Sequence, residues 1–530
     1  MSHTASDSLS TRLEKLVELS VSLSAERNLD KLLENILLAA RQFTKADGGT
    51  LYRLENDTLQ FAIIRNDTLN IAMGGTTEKP IPFPPLNLYI DGQPNLNQVA
   101  TCVALNRTTI NVDDAYTTEE YDFSGTKRFD SATGYRSRAF LTIPMTDHDD
   151  EIIGVLQLIN PQTEIGKFTD EDRKIVEALT SIAAVALNNR LLIIQLQTLL
   201  EALIGMINIA IDEKSSHTSQ HCLRVPELVM MLAEATHNIQ EGPLASFTMT
   251  DKDRYELKIA GLMHDCGKLT TPDHIINKAT KLEKIHDRIE EVAARFTALR
   301  AQIEVNMLRA LQQVGNDPAE KQRLEQACAA ELQSLDDDLA FLRLSNKGGE
   351  FMGDDAKARI QNIAQRTWIN SAGEAQPLLS ADEVHHLSIS RGTLTAEDRA
   401  IINHHIVATE RMLNALPWPR HLQNVTEYAV NHHERMDGKG YPKGLKRDEM
   451  SLPSRMMSIA DVFEALTSRD RPYKTPRTLR ESLSILQKMS QEGHIDPELF
   501  DVFLHQHVWL DYARKRLEPE QIDMESAEEL

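Results

Sequence analysis

The chain has 530 residues, 41% of them hydrophobic and 26% charged, which predicts a globular protein of two or three domains. Its net charge of −22 argues against a nucleic-acid polymer as partner, because binding many phosphates requires a basic face. No uninterrupted apolar run reaches the roughly 18 residues that a membrane helix needs, so no membrane partner is expected.

The expected location is the cytoplasm. The first residues, MSHTASDSLSTRLEKL, lack the apolar core of a signal peptide. The four cysteines lie far apart and form no CxxC pair, so a disulfide framework is not expected and a reducing compartment fits.

Residues 12–190 predict an α+β domain. Two helices come first, the second capped by Asn28 or Asp30 and stopped by the DGG at 47–49. A last helix begins with a capping-box pattern at Thr169 and Asp172. This order suggests one sheet with helices on one face. The strands are expected in the β-rich runs GTLYRLE, LQFAIIR, TTINVDD, RAFLTIPM and IIGVLQLIN.

The last helix carries a heptad pattern across the end of this domain. A single Asn in such a seam sets the register of two-stranded coiled coils. Two interpretations stay open: a helix packed on its own domain, or a parallel coiled coil over residues 175–205 that pairs two copies of the chain. The seam consists of Ile175, Leu179, Ile182, Ala186, Asn189, Ile193, Leu196, Leu200 and Leu203.

Residues 206–515 predict an almost entirely helical domain that contains an insertion. Apolar residues recur at heptad spacing over 282–307 and again over 324–342. Between them, VGNDP supplies a helix stop at Gly315, a cap at Asp317 and a proline for the next first turn. We therefore expect an inserted antiparallel helical hairpin at about 281–345.

Histidines and acids in this helical part form several clusters. Imidazole and carboxylate ligands in this number suit divalent metals, and a shared Asp can bridge two ions. Each cluster alone has an ordinary explanation, since a His pair at i, i+4 is usually surface decoration and an Asp in an apolar helix is often a satisfied core acid. The clusters are His217 with His221, His264 with Asp265, His404 with His405, His432 with His433, and Asp461.

The combination favours a metal centre. Asp461 lies inside the apolar run MMSIADVFEAL, where an unpaired carboxylate would cost several kcal/mol or shift its pKa. His264 and Asp265 end a similarly apolar run and have the same need for a cation. One metal centre satisfies all three residues.

The motifs HDCGK, HHERMDGKGYP and ADVFEALTSRDRPYK, in this order, resemble the HD-GYP domain, a subgroup of HD-superfamily phosphohydrolases that hydrolyse cyclic di-GMP. The resemblance implies a helical domain with two or three divalent ions, iron or manganese. It implies that His221, His264 and Asp461 bind one ion. It also implies that Asp265 bridges to a second ion, which is held by His405, His432 and His433.

The same resemblance assigns the other site residues. Lys268, Arg471 and Lys474 match positions that hold substrate phosphates, with Asp265 and Lys268 taking part in catalysis. Where some three-metal members carry Glu, this chain has His217, a candidate further ligand. Gly440, Tyr441 and Pro442 form the signature turn. Metal-activated water would open the phosphodiester to give pGpG, with a second cut to GMP left open.

The N-terminal part resembles a GAF domain, through NRTTINVDDAY, GTKRFDSATGYRSRAFLTIPM and EIIGVLQLIN. The KRFD at 127–130 is similar to a motif of cyclic-nucleotide-binding GAF domains, so a cyclic nucleotide is one expected ligand. A dimerising sensor domain with another ligand or none is the alternative.

The fold class expected is therefore an α+β GAF domain followed by an all-α HD-GYP metallohydrolase domain, and the function a GAF-regulated cyclic di-GMP phosphodiesterase. Two alternatives remain: a hydrolase of another cyclic dinucleotide or nucleotide, and a catalytically silent receptor. The complete set of ligand residues argues against the second.

Overall fold

The computed structural model describes residues 2–214, 220–315, 317–349, 351–469 and 476–530, with side chains from residue 14 onward. It divides into two compact units, residues 1–200 and residues 201–530. The helix Asp170–Lys214 belongs to both.

The first unit is built on one antiparallel sheet with the strand order β3-β2-β1-β9-β8-β7, in which β4 also pairs with β2. The predicted β-rich runs lie in β1, β2, β7, β8 and β9, so the five strand predictions are confirmed. The strands are β1 Ala46–Glu55, β2 Thr58–Asn66, β3 Ile71–Gly74, β4 Leu86–Asn87, β5 Tyr89–Ile90, β6 Gln93–Pro94, β7 Ile110–Val112, β8 Phe140–Thr146 and β9 Ile152–Pro161.

Helices cover both faces of this sheet. The helices α1, α2 and α5 share one core with the inner face, whereas α3 packs Val103 against Phe140 and Val155 on the opposite face. The prediction of helices on one face was therefore wrong. The short segment VATCVALN is apolar on all sides, so its sequence shows no helical period. The helices are α1 Ser2–Ala25, α2 Leu29–Thr44, α3 Val99–Asn106, α4 Ser124–Thr133 and α5 Asp170–Lys214.

One end of α2 is formed as expected and the other is not. The Asn28 side chain accepts a hydrogen bond of 2.9 Å from the Lys31 amide, which makes Asn28 the cap. The helix ends at Lys45, in the left-handed region with φ 54°, so the prediction that DGG stops it was wrong. Gly49 instead lies in β1, where a Cβ would come within 2.7 Å of the Leu37 side chain.

The helix α5 changes character along its length. It begins with the predicted capping box, in which Thr169 and Asp172 exchange hydrogen bonds of 2.9 and 3.1 Å. Leu179 and Ala186 are buried in the core of the first unit, so this part of the expected seam packs on its own domain. Farther along, exposed residues continue at heptad spacing. Three of them, Asn189, Leu196 and Leu203, belong to the predicted seam, and at the positions that alternate with them Val185, Leu192 and Leu199 stand in place of Ala186, Ile193 and Leu200. Within the described ranges, α5 is also the one helix long and apolar enough to cross a membrane, with a mean hydropathy of 1.7 over its most apolar 18 residues.

The second unit is helical apart from one small hairpin of strands, β10 Thr367–Ile369 and β11 Ala375–Pro377. Short 3₁₀ turns at Cys266–Thr270 and Asn431–His433 lie between its helices. The helices are α6 His221–His237, α7 Asp251–Met263, α8 Asp273–Ile276, α9 Ile289–Gln313, α10 Pro318–Asn346, α11 Asp354–Ala364, α12 Ala381–Leu387, α13 Ala396–Asn414, α14 Val425–Val430, α15 Leu452–Thr467, α16 Leu479–Gln491, α17 Pro497–His505 and α18 Val508–Arg516.

Helices α9 and α10 lie side by side and antiparallel, as their ion pairs Arg343–Glu290 (2.7 Å) and Arg300–Asp336 (2.8 Å) show. Their shared apolar core is continuous with side chains from the segment after α10, among them Ile360, Leu378 and Leu387. The inserted unit therefore extends past residue 345, to about residue 387.

Candidate metal centre

A glycine allows the HDCGK segment to approach α13 closely. His264 ends α7 and Asp265 begins the 3₁₀ turn Cys266–Thr270. A Cβ on Gly267 would lie 1.9 Å from the His405 carbonyl oxygen and 2.6 Å from the Thr409 amide nitrogen. The Gly267 amide also donates a 3.0 Å hydrogen bond to the buried Thr409 hydroxyl. This packing brings Asp265 to His405.

The remaining predicted ligands converge on the same place from three other elements. His221 is the first residue of α6, and Asp461 lies in α15. His432 and His433 form the 3₁₀ turn after α14. In α13, His405 is 2% exposed while His404 faces solvent, so the structure places the predicted member of this pair at the centre.

The ligand atoms form two groups that share Asp265. Oδ2 of Asp265 lies 3.3 Å from His221 Nε2 and 3.2 Å from His264 Nε2, and Asp461 Oδ1 lies 3.1 Å from the same His221 nitrogen. Oδ1 of Asp265 faces the other way and lies 3.3 Å from His405 Nε2. Ligand atoms of His405, His432 and His433 lie within 4.8 Å of one another.

These atoms fit metal ions better than they fit one another. His405 Nε2, His432 Nε2 and Asp265 Oδ1 are buried, and none has a hydrogen-bond partner among the described residues. Buried polar atoms without partners cost about 1–3 kcal/mol each. Two ligand atoms that each lie about 2.1 Å from the same ion, in directions at right angles, are about 3 Å apart. The distances between ligand atoms in this centre are close to that value. The donor set of imidazoles and carboxylates is suited to iron, manganese or zinc.

The second nitrogen of each of four histidines is held by a hydrogen-bond partner. In three rings Nδ1 meets a backbone carbonyl three residues earlier: Gly261 for His264 (2.7 Å), Ile402 for His405 (2.5 Å) and Ala429 for His432 (2.6 Å). The fourth ring, His221, meets the Glu464 carboxylate instead. Each contact leaves Nε2 for a metal, which is the usual arrangement of metal-bound histidines.

The surroundings keep two carboxylates of the centre ionised and one imidazole neutral. Burial alone raises the pKa of Asp265, but the charges of Lys268 and His264 outweigh it and hold this pKa well below its usual range. Asp461 is likewise held ionised against the effect of burial, mainly by His221, which keeps its pKa well below the usual value. Burial lowers the pKa of His433 to about 4, so its imidazole is neutral at pH 7.

Lys268 lies beside the shared carboxylate. Its ammonium is 2.5 Å from Asp265 Oδ2, and its side chain is 21% exposed. Burial alone would lower the pKa of Lys268, but Asp265 raises it above the ordinary value, so Lys268 is a cation at neutral pH. The other predicted phosphate contacts, Arg471 and Lys474, and the candidate ligand His217 lie outside the described residues.

The signature turn closes one side of the centre. The Tyr441 ring stacks on His433 with ring centroids 4.9 Å apart. A Cβ on Gly440 would come within 2.4 Å of the backbone at Glu434 and Arg435, so only glycine allows the turn to fold back this closely. The buried Glu434 carboxylate accepts hydrogen bonds from the backbone amides of residues 443 and 445 and anchors the turn. The turn thus orients a predicted ligand.

Sequence reasoning missed several supporting residues: Gly267, Thr409 as a hydroxyl acceptor, Glu434 and Glu464. A signal existed for Glu464, because it comes three residues after Asp461 and so lies on the same face of α15.

In the first unit, the KRFD motif has a structural use. Asp130 is buried and accepts hydrogen bonds of 2.8 Å from the Tyr116 hydroxyl and from the backbone amide and hydroxyl of Ser137. Lys127 lies over the Tyr116 ring at 5.5 Å. The described contacts of Asp130 therefore hold the loop after α4 to the rest of the domain.

Comparison with known families agrees with this division of the chain. A GAF-domain model matches residues 28–187, and two HD-domain models match residues 218–328 and 379–499. The stretch between the two HD matches falls inside the inserted unit.

Three curated relatives are each similar to part of this chain. A 3'3'-cGAMP-specific phosphodiesterase 1 of Vibrio cholerae is 48% identical over 80 residues, which cover 15% of this chain and 18% of that protein. A cyclic di-GMP phosphodiesterase of Thermotoga maritima is 39% identical over 113 residues, 21% of this chain and 30% of that protein. One of Pseudomonas aeruginosa is 36% identical over 113 residues, 21% of this chain and 26% of that protein.

The match therefore spans less than a third of the length of each of these three relatives. Among solved structures, a GAF domain/HD domain protein from Geobacter sulfurreducens aligns with 32% of this chain and 98% of that chain, at 17% identity and a TM-score of 0.24. A structural likeness at that level supports no functional assignment. The family models thus identify a GAF domain followed by an HD domain in this chain, and the order of its motifs resembles that of the HD-GYP type.

Proposed function

We propose that this chain is a metal-dependent phosphodiesterase that opens cyclic di-GMP to pGpG. The observation that supports this most is the pair of ligand groups joined by the two oxygens of one buried carboxylate, Asp265. Two-metal centres with this kind of bridge suit the hydrolysis of phosphodiesters. The relatives' names point to the same class of substrate.

In this proposal His221, His264 and Asp461 hold one ion, and a group of three histidines holds the other: His405, His432 and His433. Iron or manganese fits this set, because both accept imidazole and carboxylate ligands and leave positions open for substrate. When bound, the ions supply an activated water and offset charge on the phosphoryl oxygens. His217 would add a ligand for a third ion.

The chain's own residues perform the other tasks. Asp265 fixes the distance between the two ligand groups, and Lys268 keeps a positive charge beside it, where negative charge develops on the phosphate during attack. Arg471 and Lys474 are proposed to bind the phosphates of the substrate. Tyr441 keeps the His433 ring in its orientation.

A second candidate substrate is 3'3'-cGAMP, favoured by the relative that is 48% identical. The test is to load the purified chain with manganese or iron, incubate it with cyclic di-GMP, 3'3'-cGAMP and cyclic di-AMP separately, and separate the products. We expect cyclic di-GMP to be linearised at the highest rate. Faster turnover of 3'3'-cGAMP would assign the second candidate, and no product from any of the three would contradict the proposed function.

Regulation is proposed to pass through α5. A second copy of the chain covers the exposed heptad stripe in this proposal, with Asn189 facing its counterpart as the register-setting polar residue. Leu196, which is 65% exposed, is at the middle of the stripe. Sedimentation should show a dimer at micromolar concentration and a monomer for Leu196→Glu. A wild-type monomer would contradict this part.

The GAF domain is proposed to receive the regulatory signal, with a cyclic nucleotide as the ligand class that its KRFD motif indicates. Because Asp130 is engaged inside the domain, other side chains would hold that ligand. The proposed location of the protein is the reducing cytoplasm, and the four buried cysteines, none of which forms a disulfide, support it.

A further inference from the structure

We infer that Glu464 is a positioning residue that fixes the His221 ring for the first metal ion, and that Arg224 in turn fixes Glu464. This inference rests on the proposed metal-dependent function, and it names two residues that neither coordinate the ion nor touch the substrate.

His221 differs from the three neighbouring ligand histidines in what holds its second nitrogen. His264, His405 and His432 each come after a helical turn that offers a backbone carbonyl to Nδ1. His221 is instead the first residue of α6. The Glu464 carboxylate takes the place of that carbonyl.

Two acids of one helix therefore address both nitrogens of one imidazole. Asp461 and Glu464 are one turn apart in α15. Asp461 Oδ1 lies 3.1 Å from His221 Nε2, and Glu464 Oε2 contacts Nδ1. The ring can rotate or change tautomer only by losing one of these contacts, so its metal-binding nitrogen is kept toward the centre.

Burial of Glu464 requires a partner charge, and Arg224 supplies it. Glu464 is 1% exposed, and a lone carboxylate at such a site would be strongly unfavourable. Arg224, one turn after His221 on α6, donates from Nε to Glu464 Oε1 at 2.5 Å and from a terminal nitrogen to the Ser468 hydroxyl at 2.9 Å. The guanidinium thus holds the carboxylate at the distance the ring requires.

The chemical consequence is an asymmetric centre. A carboxylate that accepts a hydrogen bond from the Nδ1–H group raises the electron density of the imidazole more than a neutral carbonyl does, and it therefore strengthens the bond from the imidazole to a metal. Loss of such a partner typically lowers metal affinity by about 10- to 100-fold. The loss should fall on the ion held by His221, His264 and Asp461, and the ion held by His405 and its neighbours should be spared.

The test measures manganese binding to the metal-free full chain by titration calorimetry, alongside thermal unfolding of the metal-free form. We expect at least two ions in the wild type. In Glu464→Gln we expect one ion weakened by about 10- to 100-fold and the other changed less than about 2-fold. Glu256→Gln is the matched control, because Glu256 is also buried and accepts hydrogen bonds from the backbone amide and side chain of Asn424, away from the ligand residues. It should leave both ions unchanged.

A double-mutant comparison separates positioning from a general structural role. If Glu464 acts through His221, Glu464→Gln added to His221→Gln should change manganese binding by less than about 2-fold. Arg224→Met, which leaves the Glu464 contact but frees the carboxylate to move, should weaken the same ion to a smaller extent. It also serves as the test if Glu464→Gln does not fold.

Several outcomes would overturn the inference. The first is unchanged binding of both ions in Glu464→Gln, or in Arg224→Met if only that variant folds. The second is an equal loss of affinity for both ions. The third is that Glu464→Gln causes its full loss of affinity even when His221→Gln is already present. A wild-type chain that binds two ions but hydrolyses no cyclic dinucleotide would instead refute the proposed function and leave the positioning result readable. A wild-type chain that binds no manganese would refute both.

Discussion

Substituting Gly267 by alanine tests whether close packing of the HDCGK turn on α13 builds the metal centre. The new Cβ would lie 1.9 Å from the His405 carbonyl oxygen, whereas ordinary contact begins at 3.4 Å. The two backbones must therefore separate by about 1.5 Å, and overpacking of this kind costs about 1–3 kcal/mol of folding free energy. Ligand positions tolerate errors of only about 0.2 Å.

The 3.3 Å spacing between Asp265 Oδ1 and His405 Nε2 crosses this interface, so the second ion should suffer most. We expect Gly267→Ala to fold with a lower Tm, to lose at least about 10-fold in manganese affinity at the second ion, and to lose most hydrolysis. Chemical denaturation and calorimetric titration measure the two effects. Gly349→Ala is the control, because a Cβ there meets nothing within 4 Å. Two tightly bound ions and normal turnover in Gly267→Ala would refute the reasoning.

Three further predictions concern the shared carboxylate, the insertion and a buried lysine. Asp265→Ala should lower bound metal at both positions and abolish hydrolysis, while Lys268→Ala should keep both ions and lose about 100-fold in rate. Metal analysis and product assays check both variants. Unchanged metal content and rate in Asp265→Ala would contradict the proposed site. Replacing residues 282–388 by a three-residue linker should leave manganese content unchanged, because the core of the inserted unit is its own; loss of metal from a folded deletion would contradict this. Burial lowers the pKa of Lys281 to about 8. Between about pH 8 and 10.5, Lys281 is therefore neutral in the folded chain but still protonated in the unfolded chain, so the free energy of unfolding rises with pH. Wild type should therefore gain up to about 3 kcal/mol of unfolding free energy relative to Lys281→Met across that window, measured by denaturation at several pH values, and a difference independent of pH would contradict it.

The ends of that deletion are set by the contacts of Lys281. Lys281 donates hydrogen bonds of 2.9 and 2.8 Å to the carbonyls of Leu387 and Ile389, so the chain enters and leaves the inserted unit at adjacent points. A cut at residue 345 would instead strip apolar side chains such as Leu378 of their packing partners.

The parts of the fold that the sequence predicts are those with a long period or a strong local device. Heptad spacing indicated α9 and α10, and the exchange between Thr169 and Asp172 marked the start of α5. The helix α3 and the segment from α11 to α12 were not predicted, because elements of about ten residues or fewer contain too few turns for a period to show. On α5 the predicted seam and the exposed stripe share Asn189, Leu196 and Leu203 but differ by one residue at the positions that alternate with them, because apolar residues there serve two faces and the sequence does not tell which face the sheet covers.

For the metal centre, the ligand types and their order were readable, but their partners were not. The choice of His405 over His404 required the family pattern, and burial supplies its physical reason: one ring points into the packed centre and the other into solvent. The spacing places Glu464 on the same helix face as Asp461, but its contact with His221 could not be read from the sequence. Side-chain partners that lie about 240 residues apart in the chain leave no local pattern to read.

The most direct test of the central claim combines metal stoichiometry with turnover in one sample. The metal-free chain is titrated with manganese in the presence of cyclic di-GMP, and linear product is measured at each step. The two-ion account predicts that hydrolysis appears as the second ion binds and that it saturates at two or three ions per chain. Full hydrolysis with one ion or none, or a chain with two bound ions that opens no cyclic dinucleotide, would contradict it.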